Sequence, residues 1–191
     1  MQYEIKPKEK LNLGLGEMWQ YRELFYFFTW RDIKVKYKQT VLGFLWAIIQ
    51  PLVMTVLLSF SLGGIISSYG KLTIPYPLFA MSGLIIWNIF SAGLANAGNS
   101  MVTNANIIKK IYFPRLIIPI SAVIVSLFDF LMAFIVFIGM LLYYHNEFSF
   151  NLLLFIPILL FSVFVTSIAT FGMGSLLAAL NIKYRDFRYI I

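Results

Sequence analysis

The chain has 191 residues, of which 60% are hydrophobic, 18% aromatic and only 12% charged, with a mean hydropathy of +0.83. Soluble domains carry about 25% charged residues. So little polar surface cannot cover so much hydrocarbon, which excludes an ordinary soluble fold or a disordered chain and leaves an all-α polytopic membrane protein. The absence of cysteine removes disulfide frameworks and thiol chemistry, and the single His145 cannot build a histidine metal cluster.

Residues 1–16 are polar and read as a flexible cytoplasmic arm. Residues 17–40 pack Trp19, Tyr21, Phe25, Tyr26, Phe27, Phe28 and Trp30 among Arg22, Glu23, Arg31 and Asp32. The charges stop this segment from spanning a bilayer. The helical spacing of Met18, Tyr21, Phe25 and Phe28 predicts an interfacial helix along the cytoplasmic surface, since Trp and Tyr favour the headgroup level. Arg31, Lys34 and Lys38 stand at i, i+3 and i+7, on one face of that helix. Such a cluster would draw a phosphate or pyrophosphate group, or would simply anchor the chain with snorkelled side chains.

Four long stretches without clustered charge follow, each able to hold the ~20 apolar residues of a membrane helix. They predict spans at about 41–62, 77–96, 116–143 and 152–180 within a membrane domain of residues 41–180. Gln50-Pro51 should kink the first span. Gly63, Gly64, Pro75 and Pro77 read as turns outside the membrane. The second span ends in Asn96, Gly98, Asn99, Ser100, Thr103 and Asn104, opening a loop over 97–115. Within that loop the run from Ile107 to Phe113 predicts a short helix stopped at Pro114. It would either present Ile and Tyr side chains to a soluble partner or pack back on the bundle.

Asp129 falls near the middle of the third span, where an ionised carboxylate costs on the order of 3 kcal/mol. A proton relay and a packing or hydrogen-bonding role both fit, and no second intramembrane acid or histidine accompanies it. In the fourth span Gly174/Ala178 and Ser175/Ala179 repeat at four, a helix-packing pattern. Residues 181–191 begin a further cytoplasmic segment. Of the fifteen Lys and Arg residues only Lys71 falls on the opposite side of this layout, so the basic bias puts both ends of the described spans in the cytoplasm. The aromatics Trp46, Trp87 and Phe90 face lipid or core, or else stack on sugar rings along a path.

Catalytic signatures are missing: there is no phosphate-cradling G-x-x-x-x-G-K-[ST] loop, no H-E-x-x-H pair and no G-x-S-x-G elbow. Energy for transport would come from an ion gradient or from a partner ATPase.

Met18-Trp19-Gln20-Tyr21-Arg22-Glu23-Leu24, followed by the run from Thr29-Trp30-Arg31-Asp32 through Gly43-Phe44-Leu45-Trp46, closely resembles the start of ABC-2-type permeases that export O-antigen, capsule and teichoic-acid polysaccharides. Gln50-Pro51, the loop Lys110-Ile111-Tyr112-Phe113-Pro114-Arg115, Asp129 and Asn181-Ile182-Lys183-Tyr184-Arg185-Asp186 continue the similarity. The resemblance implies a homodimer in the inner membrane with two cytoplasmic ATPase subunits, which hold the ATP and Mg; no cofactor belongs to this chain. It implies a lipid-linked polysaccharide cargo entering by its pyrophosphate end. It places ATPase contacts at Glu17, Tyr21, Arg22, Lys109, Lys110, Tyr112, Phe113 and Arg115. Arg31, Lys34 and Lys38 then become candidates for guiding the pyrophosphate, and Trp46, Trp87 and Phe90 for lining the sugar path.

Family members have six membrane helices, so this sequence resembles the N-terminal two-thirds of a longer permease. The resemblance favours an ATP-driven polysaccharide exporter. Alternatives are an ABC-2 permease for teichoic acid, capsule, lipid or drug, and a membrane-embedded glycosyl- or phosphotransferase, which would call for paired acids that the sequence lacks.

Overall fold

A computed structural model describes residues 15–38, 43, 45–69, 74–144 and 152–184. Those residues are all helix and connecting turns: α1 (Leu15–Gln20), α2 (Arg22–Lys38), α3 (Leu45–Tyr69), α4 (Tyr76–Thr103), α5 (Ala105–Ile108), α6 (Ile117–Tyr143) and α7 (Leu152–Lys183). Of the arm expected at 1–16, residues 1–14 lie outside them, as do Lys71, His145 and the segment from Arg185 onward, while Leu15 and Gly16 open α1 and do not belong to an arm. Four helices, in α3, α4, α6 and α7, are long and apolar enough to cross a membrane. The protein is therefore an all-α polytopic bundle.

Several boundaries differ from the sequence reading. Gly63 and Gly64 lie inside α3 and do not form a turn. Their neighbours Leu62, Ile65 and Ile66 are apolar, and in an apolar medium a segment keeps its backbone hydrogen bonds by staying helical. Pro75 instead caps α4 and Pro77 occupies its first turn, where a missing N–H removes no intrahelical bond. Residues 97–103 belong to α4, not to a loop. The short connector helix does form, but as one turn, α5, that ends well before Pro114. Pro51 sits within α3, and the hydroxyl of Thr55 donates to its carbonyl at 2.7 Å.

Successive long helices alternate in direction, and α4 is central, packed against α7, α6 and α3. Small residues make the closest crossings. A Cβ added at Gly93 would stand 2.6 Å from Thr170 Cγ2 and 2.8 Å from Ser126 Oγ, and one at Gly174 would stand 2.6 Å from Ala97 Cβ. Thr170, Gly174, Ala178 and Asn181 form the buried stripe of α7. Of the two expected repeats, Gly174/Ala178 carries this contact, while Ala179 is exposed. Hydroxyls within the packed faces bond backwards to their own helices, Ser126 to Val123 O and Thr170 to Thr166 O, both at 2.7 Å. That pairing lets polar residues sit in an apolar interface without an unmet donor.

At 28, 27 and 32 residues, α4, α6 and α7 run to roughly 40–48 Å, beyond the ~30 Å of a hydrocarbon core. The surplus lies where α4 ends in Asn96, Asn99, Ser100, Thr103 and Asn104 and where α6 begins. The charged helix α2 runs alongside this part of the bundle, which we call the basic end.

Candidate functional site

The face of the N-terminal helices that carries Met18, Tyr21, Phe25 and Phe28 is docked on the bundle, while Trp19, Tyr26, Phe27 and Trp30 are exposed. Phe28 is 1% exposed and packs with Phe113, Ile117 and Ile118, while Met18, Tyr21, Leu24, Phe25, Ile107 and Ile108 close around them. The Phe28 and Phe113 rings lie 5.7 Å apart. The chain thus joins α1, α2, the connector and the start of α6 into one unit at the basic end, which settles the connector's alternatives for its apolar side: Ile107, Ile108 and Phe113 pack back on the bundle.

Periodicity assigns the remaining faces of α2. Arg31 turns toward α4: its guanidinium donates to Asp32 Oδ1 at 2.7 and 2.9 Å and to Asn104 Oδ1 at 2.7 Å, and it lies 4.9 Å over the Phe28 ring. Lys34 points the other way, exposed, with its ammonium 5.3 Å over Trp30. Lys38 is also exposed. The three cations therefore do not form one cluster. Although i, i+3 and i+7 lie on one side of a helix, Arg31 is held toward the bundle by its bonds to Asp32 and Asn104, while Lys34 and Lys38 stay exposed. Replacing Arg31 by alanine should loosen the end of α4, costing about 1–2 kcal/mol for a lost charge-assisted bond on a partly exposed group; faster amide exchange over residues 96–104 would register it.

Asp129 receives the side-chain ammonium of Lys36 and the hydroxyl of Tyr37. Burial pushes the Tyr37 hydroxyl to hold its proton, as do the hydrogen bond to Asp129 and that carboxylate's charge, so tyrosine stays the donor. Asp129 is central in α6 by sequence, yet its neighbours are the end of α2 and, around a shared cavity, the first turns of α3. A helix carrying Arg31, Asp32, Lys34, Lys36 and Lys38 cannot lie in hydrocarbon. The carboxylate consequently sits at the polar layer, with its charge paired. Sequence reading missed Lys36 and Tyr37. The signal was the phase of α2: with Phe28 facing the bundle, positions 31, 32, 35 and 36 follow on the same side.

Two cavities border this pair. One of about 410 Å³ lies in the polar layer between α2, α4 and α6, lined by Arg31, Asp32, Val35, Lys36, Asn96, Asn99 and Asn104 among others. The second, about 220 Å³, reaches between α3, α4 and α6 and is lined by Lys36, Tyr37, Trp46, Gln50, Asn88, Asp129 and Ala133 among others. Trp46 thus meets a cavity. Trp87 does not line either one; it is exposed and packs on Phe90 at 5.9 Å.

The residues expected at a partner contact divide in two. Arg22, Lys109, Lys110, Tyr112 and Arg115 are exposed, Tyr112 by 88%. Phe113 is buried and Tyr21 half-buried in the docked unit, so these two support the surface from beneath. The Glu17 side chain lies outside the described residues. Among the described residues no group of His, Cys, Asp and Glu could hold a metal ion.

No family profile matches the chain. Individual proteins do. An O-antigen export system permease protein RfbA of Klebsiella pneumoniae is 35% identical over 178 residues, 93% of this chain. Over that region the chain is similar to an O-antigen export permease. A second Klebsiella pneumoniae RfbA is 32% identical over 178 residues, and a Myxococcus xanthus RfbA 26% over 176 residues. The chain spans about 65% of the length of each of these permeases.

Proposed function

We propose that the protein carrying this chain is the permease subunit of an ATP-driven exporter that moves lipid-linked, O-antigen-type polysaccharide out of the cytoplasm. The similarity to O-antigen export permeases over more than nine-tenths of the chain carries this reading. The fold agrees with it: four membrane-length helices and a docked helical unit at the basic end. In this reading the protein lies in the inner membrane with the basic end in the cytoplasm, as the Lys and Arg bias requires. Two copies pair, and two ATPase subunits, holding ATP and Mg, dock on the exposed Arg22, Lys109, Lys110, Tyr112 and Arg115, with Glu17 beside them. This chain supplies no catalysis of its own.

The guiding of an anionic lipid head then falls to Lys34 and Lys38, which face away from the bundle, while Arg31 holds α2 in place. Replacing both lysines by alanine should lower export about tenfold, the scale of one lost charge-assisted contact, and leave the complex assembled. Unchanged export would remove the guiding role. The subunit assignment is tested by affinity purification of the tagged protein from membranes. An ATP-hydrolysing subunit should co-purify, and Tyr112→Ala with Arg115→Ala should deplete it. Isolation of the protein without any ATPase under conditions that preserve export would overturn the assignment.

A further inference from the structure

The two cavities at the basic end are stacked along the same helices. Going along α4, the polar-layer cavity takes Asn104, Asn99 and Asn96 and the deeper one takes Ala92 and Asn88. Going along α6, the first takes Ala122 and Val125 and the second takes Asp129 and Ala133. Lys36 is the side chain of α2 that borders both. Its ammonium is held by Asp129, which also holds the Tyr37 hydroxyl. The Tyr37 ring is fixed in turn against Phe128, 5.5 Å away.

We infer that Lys36, Tyr37 and Asp129 form a latch that closes the passage between these two cavities, and that its release joins them into one path from the polar layer into the bundle between α3, α4 and α6.

Three observations support a latch over a fixed structural pair. The partners come from elements 93 and 92 residues apart, so breaking the contact frees the end of α2 without disrupting a helix. The Lys36 side chain is 41% exposed while that of Asp129 is 17% exposed, so the lysine can swing to water and keep its charge solvated. Beyond the pair, the deeper cavity presents the amides of Gln50 and Asn88, groups able to hydrogen-bond an entering polar molecule or water. The ~220 Å³ behind the latch exceeds the ~30 Å³ share of one water molecule several-fold. The inference rests on this geometry and holds whatever the cargo is.

These 191 residues contain no cysteine, so Ala133→Cys places a single reporter among them in the deeper cavity, and the parent protein without the reporter supplies the background rate. Two small methanethiosulfonate reagents, one cationic and one anionic, are applied to the purified full-length protein. Labelling should be slow for both. Lys36→Met and Asp129→Asn should each accelerate both reagents about tenfold, as a minor open state becomes a major one. Tyr37→Phe, which removes only one oxygen, should give a smaller rise of the same sign. Lys36→Arg and the exchanged pair Lys36→Asp with Asp129→Lys should return labelling toward the parent rate. Rates that stay at the parent level in all variants would overturn the latch. So would rates that rise for one reagent and fall for the other, which is a change of local charge without opening. Should Lys36→Met and Asp129→Asn lose their fold, Tyr37→Phe decides the outcome: a raised rate supports the latch and the parent rate overturns it. Labelling reads passage and surface polysaccharide reads export, so failure of one is distinguishable from failure of the other.

Discussion

Gly93→Ala is expected to destabilise the bundle by about 1–3 kcal/mol, the cost of forcing an extra methyl into a packed contact. The added Cβ would meet Thr170 and Ser126 at under 3 Å, one from each neighbouring helix. Neither can swing away freely, because Thr170 is fully buried and both hydroxyls are committed to their own backbones. The helices must part instead, and α4 is the element on which the others pack. Gly83→Ala provides the opposite sign: nothing lies within 4 Å of its Cβ, so the gain of up to ~1 kcal/mol in helix propensity dominates. Thermal unfolding of the purified protein, followed by loss of monodispersity, should rank Gly83→Ala at or above the parent and Gly93→Ala well below it. Gly174→Ala should fall with Gly93→Ala, since its Cβ would meet Ala97, a residue with no exposed surface.

The second large effect is expected at Phe28. Truncating a fully buried phenylalanine to alanine costs about 3–5 kcal/mol. Here that loss acts on the joint between the N-terminal helices and the bundle, because Phe28 is the one buried side chain of α2 among the described residues. Its removal also takes the ring from beneath Arg31 and from beside Phe113. The four long helices pack mainly on one another and meet Phe28 at Ile117 and Ile118, at the start of α6, so the expected phenotype is undocking of α1 and α2 with the bundle retained. Protease cleavage between residues 15 and 45 should appear in Phe28→Ala while the membrane fragment stays intact. Phe28→Leu, which keeps most of the volume, should suppress much of that cleavage.

The membrane helices were legible because their signal is compositional: charge-free runs longer than a bilayer need no knowledge of contacts. The misplaced edges share one cause. Gly63, Gly64 and residues 97–103 carry turn-like or polar side chains, yet helix continues through them, because backbone hydrogen bonding and packing outweigh single-residue preference. The site was less legible. Arg31, Lys34 and Lys38 share a sequence spacing, but which cation faces the bundle depends on where Phe28 docks, and that depends on Phe113 and Ile117, far along the chain. Asp129 was visible as an anomaly in the third span; its partners Lys36 and Tyr37 were not, since a contact across more than ninety residues leaves no local pattern.

The central claim, that this protein carries polysaccharide across the membrane under the power of a separate ATPase, is tested most directly by surface polysaccharide in cells depleted of it. Depletion should leave lipid-linked polysaccharide accumulated inside the cell and absent from the surface. Re-expression should restore the surface material only when the partner ATPase retains hydrolysis. Surface polysaccharide that persists at its normal level after complete depletion would contradict the account.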